Sequence, residues 1–132
     1  MLGKITVRTR RRNEFVDITD EVRNFVRRSG VESGILVVYV PHTTAGVTIN
    51  EGADPSVRTD IIAYLNDYVP ESRQYRHLEG NSDSHIKASL VGSSVNLIVE
   101  DGDVILGTWQ SIFFCEFDGP RTRTVYMKVI PG

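Results

Sequence analysis

Apolar and polar positions alternate at both ends of this chain and take on a helical period in its middle. In GKITVRT, Ile5 and Val7 alternate with polar neighbours, and EFVDIT repeats the pattern from Phe15 to Asp17. This predicts two strands joined near the arginine run at 8–12 and paired with each other. Thr19 then stands as a helix cap before DEVRNFVRRSG, where Val22, Phe25 and Val26 share one face, Asp20 and Glu21 fill the first turn and Gly30 ends it. GILVVYV at 34–40 is an unbroken, β-branched run, which predicts a strand buried on both faces.

After Pro41, Val47 and Ile49 predict a further strand. Asp54 and Pro55 then open a helix that carries Val57, Ile61, Leu65 and Tyr68 down one side. A short helix is expected from about 83 to 91, with Ile86 and Leu90 four apart and Gly92 behind them, so that His85 falls in its first turn. The last third holds three β-rich runs broken by Asp101-Gly102 and Asp118-Gly119. Asp-Gly is a strong hairpin signal, so an antiparallel meander is expected there. Strands, then helices, then strands define an α+β protein: a predominantly antiparallel sheet or sandwich with two or three helices on one side.

Composition narrows the class. A chain of 132 residues suits a single domain, 1–132, and 40% hydrophobic with 24% charged residues is the balance of a soluble globular protein. No apolar run approaches the roughly 20 residues of a membrane-spanning helix. MLGKITVRTRRR alternates where a secretory leader needs an unbroken apolar centre, and the lone Cys115 forms no internal disulfide, so a cytoplasmic address is expected. The net charge of −2 gives no general argument for nucleic acid, and the arginine runs lack interleaved aromatic residues.

Three polar clusters fall at element boundaries, where scaffolds present functional groups. PHTTAGVTINE carries His42, Thr43, Thr44, Asn50 and Glu51; RHLEGNSDSH carries His77, Glu79, Asn81, Asp83 and His85; and in WQSIFFCEFDGPRTR, Glu116 ends one strand while Arg121 and Arg123 share a face of the next. Three histidines with one open position can hold a catalytic divalent ion, but the eight-residue interval between His77 and His85 matches no short metal signature. The alternative is one exposed histidine and two that hydrogen-bond nearby backbone. Arg121 and Arg123 could fork onto a phosphate or carboxylate, and the amides around Ser82 to Ser84 could add an anion site. The alternative there is a cross-strand ion pair of either arginine with Glu116 or Asp118. Cys115, inside an apolar strand, reads as an inert thiol.

The stretches HTTAGVTINEGADPSVRTD at 42–60, HLEGNSDSHIKASLVG at 77–92 and WQSIFFCEFDGPRTR at 109–123 resemble the YjbQ-like family, also labelled the secondary thiamine-phosphate synthase family. The resemblance implies an α+β fold of its own type and a homotrimer with a pocket near the subunit boundary. It also implies a divalent metal, zinc first, on His42, His77 and His85. Glu116 would then be the base or the group that orients its neighbours, with Glu51 next, while Arg121 and Arg123, supported by Thr43, Thr44, Asn50 and Asn81, hold a small anionic substrate. The function so implied is a metal-dependent enzyme acting on a small phosphorylated metabolite, with thiamine-phosphate synthase as the named activity. The alternative is a non-catalytic metabolite-binding or sensing module. The joining reaction that the label names is usually carried by an eight-fold barrel of about 250 residues, a different scaffold from any this chain can build.

Overall fold

A computed structural model describes residues 1–71, 75–76 and 80–132. The elements run β1 (Leu2–Arg8), β2 (Glu14–Asp17), α1 (Thr19–Ser29), β3 (Gly34–Tyr39), β4 (Ala45–Glu51), α2 (Pro55–Tyr68), α3 (Ser82–Val91), β5 (Ser94–Glu100), β6 (Asp103–Val104), β7 (Gln110–Glu116) and β8 (Thr122–Pro131). They build two antiparallel sheets, one in the order β1-β8-β3-β5-β6 and one in the order β2-β7-β4. The α+β, predominantly antiparallel architecture is therefore the observed one.

The facing sides of the two sheets share one core. Leu36, Val38 and Val125 from the larger sheet meet Val47, Ile112 and Phe114 from the smaller, and α1 adds Val22, Phe25 and Val26. The opposite face of the smaller sheet is covered by α2 and α3, where Ile61, Leu65, Ala88 and Val91 pack on Phe15, Phe113, Cys115 and Phe117. The strand buried on both faces is consequently β7, whose Ile112 to Glu116 are all buried. β3 differs from its expectation, because it buries Leu36 and Val38 while leaving Ile35 51% and Tyr39 46% exposed. The apolar run is real, but no layer formed by the described residues lies over its outer face.

Two pairing expectations also change. β1 pairs with β8 and β2 with β7, so the arginine run carries the chain from one sheet to the other instead of turning a hairpin. Asp101-Gly102 does close a tight hairpin, with φ of 53° and 74°, between β5 and β6. Asp118-Gly119 does not, because β7 lies in the small sheet and β8 in the large one, and the C-terminal third is no meander. The two crossing segments run side by side instead. Thr9 N–H donates to Arg121 O at 2.9 Å and Gly119 N–H to Arg12 O at 3.1 Å. A Cβ on Gly119 would sit 2.3 Å from Arg11 O, so only glycine allows this approach.

The helix ends follow from local chemistry. Asp54 accepts from Ser56 N–H at 3.0 Å ahead of Pro55. α1 opens at Thr19 itself, whose N–H is taken by the Asp17 carboxylate at 2.9 Å, while the Thr19 hydroxyl accepts from Ile112 N–H. Thr19 thus joins α1 to β7 rather than capping the helix. No helix among the described residues is long and apolar enough to cross a membrane.

Candidate functional site

Three segments meet where the chain passes between the sheets: residues 41–44 linking β3 to β4, residues 117–121 linking β7 to β8, and the first turn of α3. Thr124 N–H donates to His42 Nε2 at 3.0 Å, and Phe117 N–H donates to Thr44 O at 3.2 Å. Ser84 Oγ donates to Phe117 O, which fastens α3 to the same seam.

Glu116 and Arg123 form the base of the site. Glu116 is fully buried and Arg123 is 3% exposed. Arg123 Nε donates to Glu116 Oε1 at 2.9 Å and Nη2 donates to Oε2 and, at 2.8 Å, to Thr44 Oγ1. Thr9 Oγ1 donates to Oε1 at 2.8 Å and Asp118 N–H to Oε2 at 3.1 Å. Burial pushes the Glu116 carboxyl up, but hydrogen bonds from Arg123, Thr9 and Asp118 and the charge of Arg123 outweigh it and hold the group below the usual carboxylate range. The cross-strand ion pair therefore exists, yet it leaves Arg123 Nη1 with no hydrogen bond among the described residues. Arg123 lines a cavity of about 400 Å³ together with His42, Thr43, Thr44 and His85.

Arg121 repeats this arrangement nearer the surface. Its Nε donates to Asp118 O at 2.9 Å and its Nη2 to Asp118 Oδ2 at 3.0 Å. Asp118 is itself steadied by Asn81 Nδ2 at 2.9 Å and by Arg12 Nη1 at 3.3 Å. Arg12 also reaches Asp83 Oδ1 at 2.9 Å, and Asp83 bonds the buried Lys87 Nζ at 3.0 Å. One guanidinium from the β1–β2 crossing thus ties the β7–β8 crossing to α3.

The carboxylates around this cavity are occupied by donors, whereas donors remain on its wall. Because His42 Nε2 accepts a backbone N–H, the neutral ring carries its proton on Nδ1, adding one more donor. Burial and the nearby positive charge of Arg123 and Arg121 lower the His42 pKa, against the charge of Glu116. Free donors beside neutralised acids are the groups that an anion pairs with.

His42, Thr43, Thr44, Asn81, His85, Arg121 and Arg123 come together at this cavity, while Asn50 and Glu51 do not. They end β4, five and six residues beyond Ala45, roughly 17 to 20 Å along an extended strand. There Asn50 Oδ1 accepts Glu51 N–H and Glu51 Oε2 accepts Ala53 N–H. His77 and Glu79 lie outside the described residues. Asp83 was read as part of the second polar cluster, whereas Arg12, Thr9 and Lys87 were not among the expected site residues. Only the Asp83–Lys87 pair, four apart on a helix, left a local signal. Cys115 is fully buried and burial pushes its thiol up, as befits an unreactive group.

No group of three metal-binding side chains occurs among the described residues. A metal on His42 would need a lone pair on Nδ1 and a proton on Nε2, which faces the Thr124 N–H donor. In this orientation the ring does not fit a ligand.

A small α+β protein with a donor-lined cleft between two antiparallel sheets is what the fold and site define. The family model described as UPF0047 protein YjbQ-like matches residues 3–132, and the chain belongs to that family. A UPF0047 protein of Methanocaldococcus jannaschii is 56% identical over 130 residues, covering 98% of this chain and 94% of that one. YugU of Bacillus subtilis, also a UPF0047 protein, is 51% identical, covering 98% and 99%. A YjbQ/UPF0047 crystal structure from Clostridium acetobutylicum superposes with a TM-score of 0.95 at 52% identity over 97% and 99% of the two chains. One from Sulfolobus solfataricus, described as a protein of unknown function, gives 0.96 at 33% identity over 100% and 97%.

Proposed function

We propose that the cleft binds a small phosphorylated metabolite and that His42 exchanges a proton with it. The observation that carries this is Arg123, a nearly buried guanidinium whose fork is held by Glu116 and whose third nitrogen is left to the cavity. Such a cation is pre-set, so little side-chain ordering opposes anion binding. Arg121 supplies a second cation, and α3 directs an N-terminus without a side-chain cap toward the same space. Glu116 takes the orienting role: with its oxygens occupied by four donors, it positions Arg123 rather than moving a proton. Thiamine-phosphate synthesis is the reaction to assay first.

Titration calorimetry with inorganic phosphate and diphosphate tests the anion site. Saturable binding is expected, weakened by roughly tenfold or more in Arg121→Gln; absence of binding to the wild-type chain rejects the reading. His42→Gln, which keeps an acceptor for Thr124 N–H, separates a catalyst from a sensor. A catalyst loses turnover and keeps its ligand, while a sensor shows changed affinity alone.

The metal reading with zinc on His42, His77 and His85 draws support from one fact: His42 and His85 border the same cavity. It requires the His42 ring to turn and release Thr124. Elemental analysis of protein purified without added metal, with His42→Ala as control, decides it.

For assembly we propose the homotrimer, supported by the outer face of the larger sheet. There Ile130, Ile35 and Ile98 stand in one cross-strand row, 52%, 51% and 60% exposed. Contiguous apolar surface of this kind marks an interface.

A further inference from the structure

The anion cavity is one of two neighbouring hollows. A second, of about 530 Å³, shares His42, Thr43 and His85 with it and then diverges toward Ala45, Ala88, Ser89 and Ser93. Both volumes fall in the range of about 300 to 1,000 Å³ that small organic ligands occupy. A bare phosphate needs only a fraction of either.

The two hollows differ in chemistry. The first is walled by Arg121, Arg123 and Asp118. Among the described residues, the second carries neither an acid nor a Lys or Arg, and beyond the shared residues no side chain on it is larger than serine. Its floor is rigid for a packing reason. The end of α3 is pressed onto β4, where Val47 N–H donates to Gly92 O at 3.1 Å and a Cβ on Gly46 would lie 2.5 Å from that same oxygen. Short side chains at this contact leave a groove that the helix cannot close.

Building on the anion site proposed above, we infer that the ligand is a phosphomonoester with an uncharged, ring-sized body. Its phosphate sits against Arg121 and Arg123, and its body crosses the His42–His85 boundary to lie in the groove over Ala45, Ala88 and Ser89. The charged hollow supplies the anchor, and the neutral one reads the organic part. A ligand charged at both ends is disfavoured, because the second hollow offers no counter-ion.

The test compares inorganic phosphate with phenyl phosphate as probes, titrated into the full chain. The wild-type protein is expected to bind phenyl phosphate roughly tenfold more tightly than phosphate, from apolar surface removed from water. Ser89 is exposed on α3, so Ser89→Leu fills the groove without disturbing the core. It is expected to abolish the preference for phenyl phosphate while leaving phosphate affinity within about twofold, whereas Arg121→Gln weakens both probes. Equal affinities in the wild-type chain, or an unchanged preference in Ser89→Leu, overturn the two-part ligand while leaving the anion site standing. Failure of the wild-type chain to bind either probe removes the anion site and this inference with it.

Discussion

Glu116→Gln is the sharpest perturbation of the buried network. All four partners of the carboxylate are donors: Arg123 Nε and Nη2, Thr9 Oγ1 and the Asp118 N–H. Glutamine offers one acceptor oxygen and turns an NH2 group toward two of them, while Arg123 keeps its charge in a site where it is 3% exposed. Breaking a buried pair from one side costs about 3 to 5 kcal/mol. For a domain of this size that corresponds to a fall in Tm of roughly 10 to 20 °C. Acid should narrow the difference. The folded-state pKa of Glu116 lies below its ordinary value of 4.5, so its contribution is complete above that pH and is withdrawn as pH falls through the folded-state value. Urea unfolding of both proteins between pH 7 and pH 3 measures this. A gap below about 1 kcal/mol at pH 7, or one that stays constant into acid, would refute the account of Glu116 as the group that holds Arg123.

Other outcomes follow from the same geometry. Arg12→Gln should weaken phosphate binding severalfold, yet add nothing in an Arg121→Gln background, because Arg12 acts through Asp118 on Arg121; additive losses in calorimetry would contradict that route. Nitrogen-15 NMR should find His42 protonated on Nδ1 and titrating below its ordinary value of 6.5; a proton on Nε2 would overturn the donor assignment and reopen ligation. Replacing Ile35 and Ile98 together by Glu should convert the proposed trimer to monomers in light scattering without loss of fold; a wild-type monomer or an unchanged mass would overturn that interface.

Periodicity carried the elements well, since α2 begins at Asp54-Pro55 and α3 spans nearly the expected residues. It could not carry sheet membership. Alternation in β1 and β2 states that each has a buried face, but not that the faces belong to different layers, and Asp118-Gly119 looks like any hairpin until both strands find other partners. The same blindness hid Thr9, which meets Glu116 across 107 positions. For the site, the three polar clusters were legible as boundary segments, and two of them converge with the histidine end of the first. Asn50 and Glu51 were grouped with His42 only because they are close in sequence; an intervening strand places them at its far end. The ion pairs of Arg121 and Arg123 were anticipated as an alternative to anion binding; in three dimensions the pairing holds Arg123 by Nε and Nη2 and leaves Nη1 with no hydrogen bond among the described residues.

Because the cleft is walled by the β3–β4 and β7–β8 connections, the start of β8 and the first turn of α3, its parts are remote along the chain: His42 to Thr124 spans 82 positions and Arg123 to Thr44 spans 79. A chain with only one sheet formed has no hollow at all. Uptake of the proposed anion would therefore report completed docking of the two sheets, and its loss would report their separation. A saturating occupant acts as a clasp, adding about 2.7 kcal/mol to native stability at a hundredfold excess over its Kd.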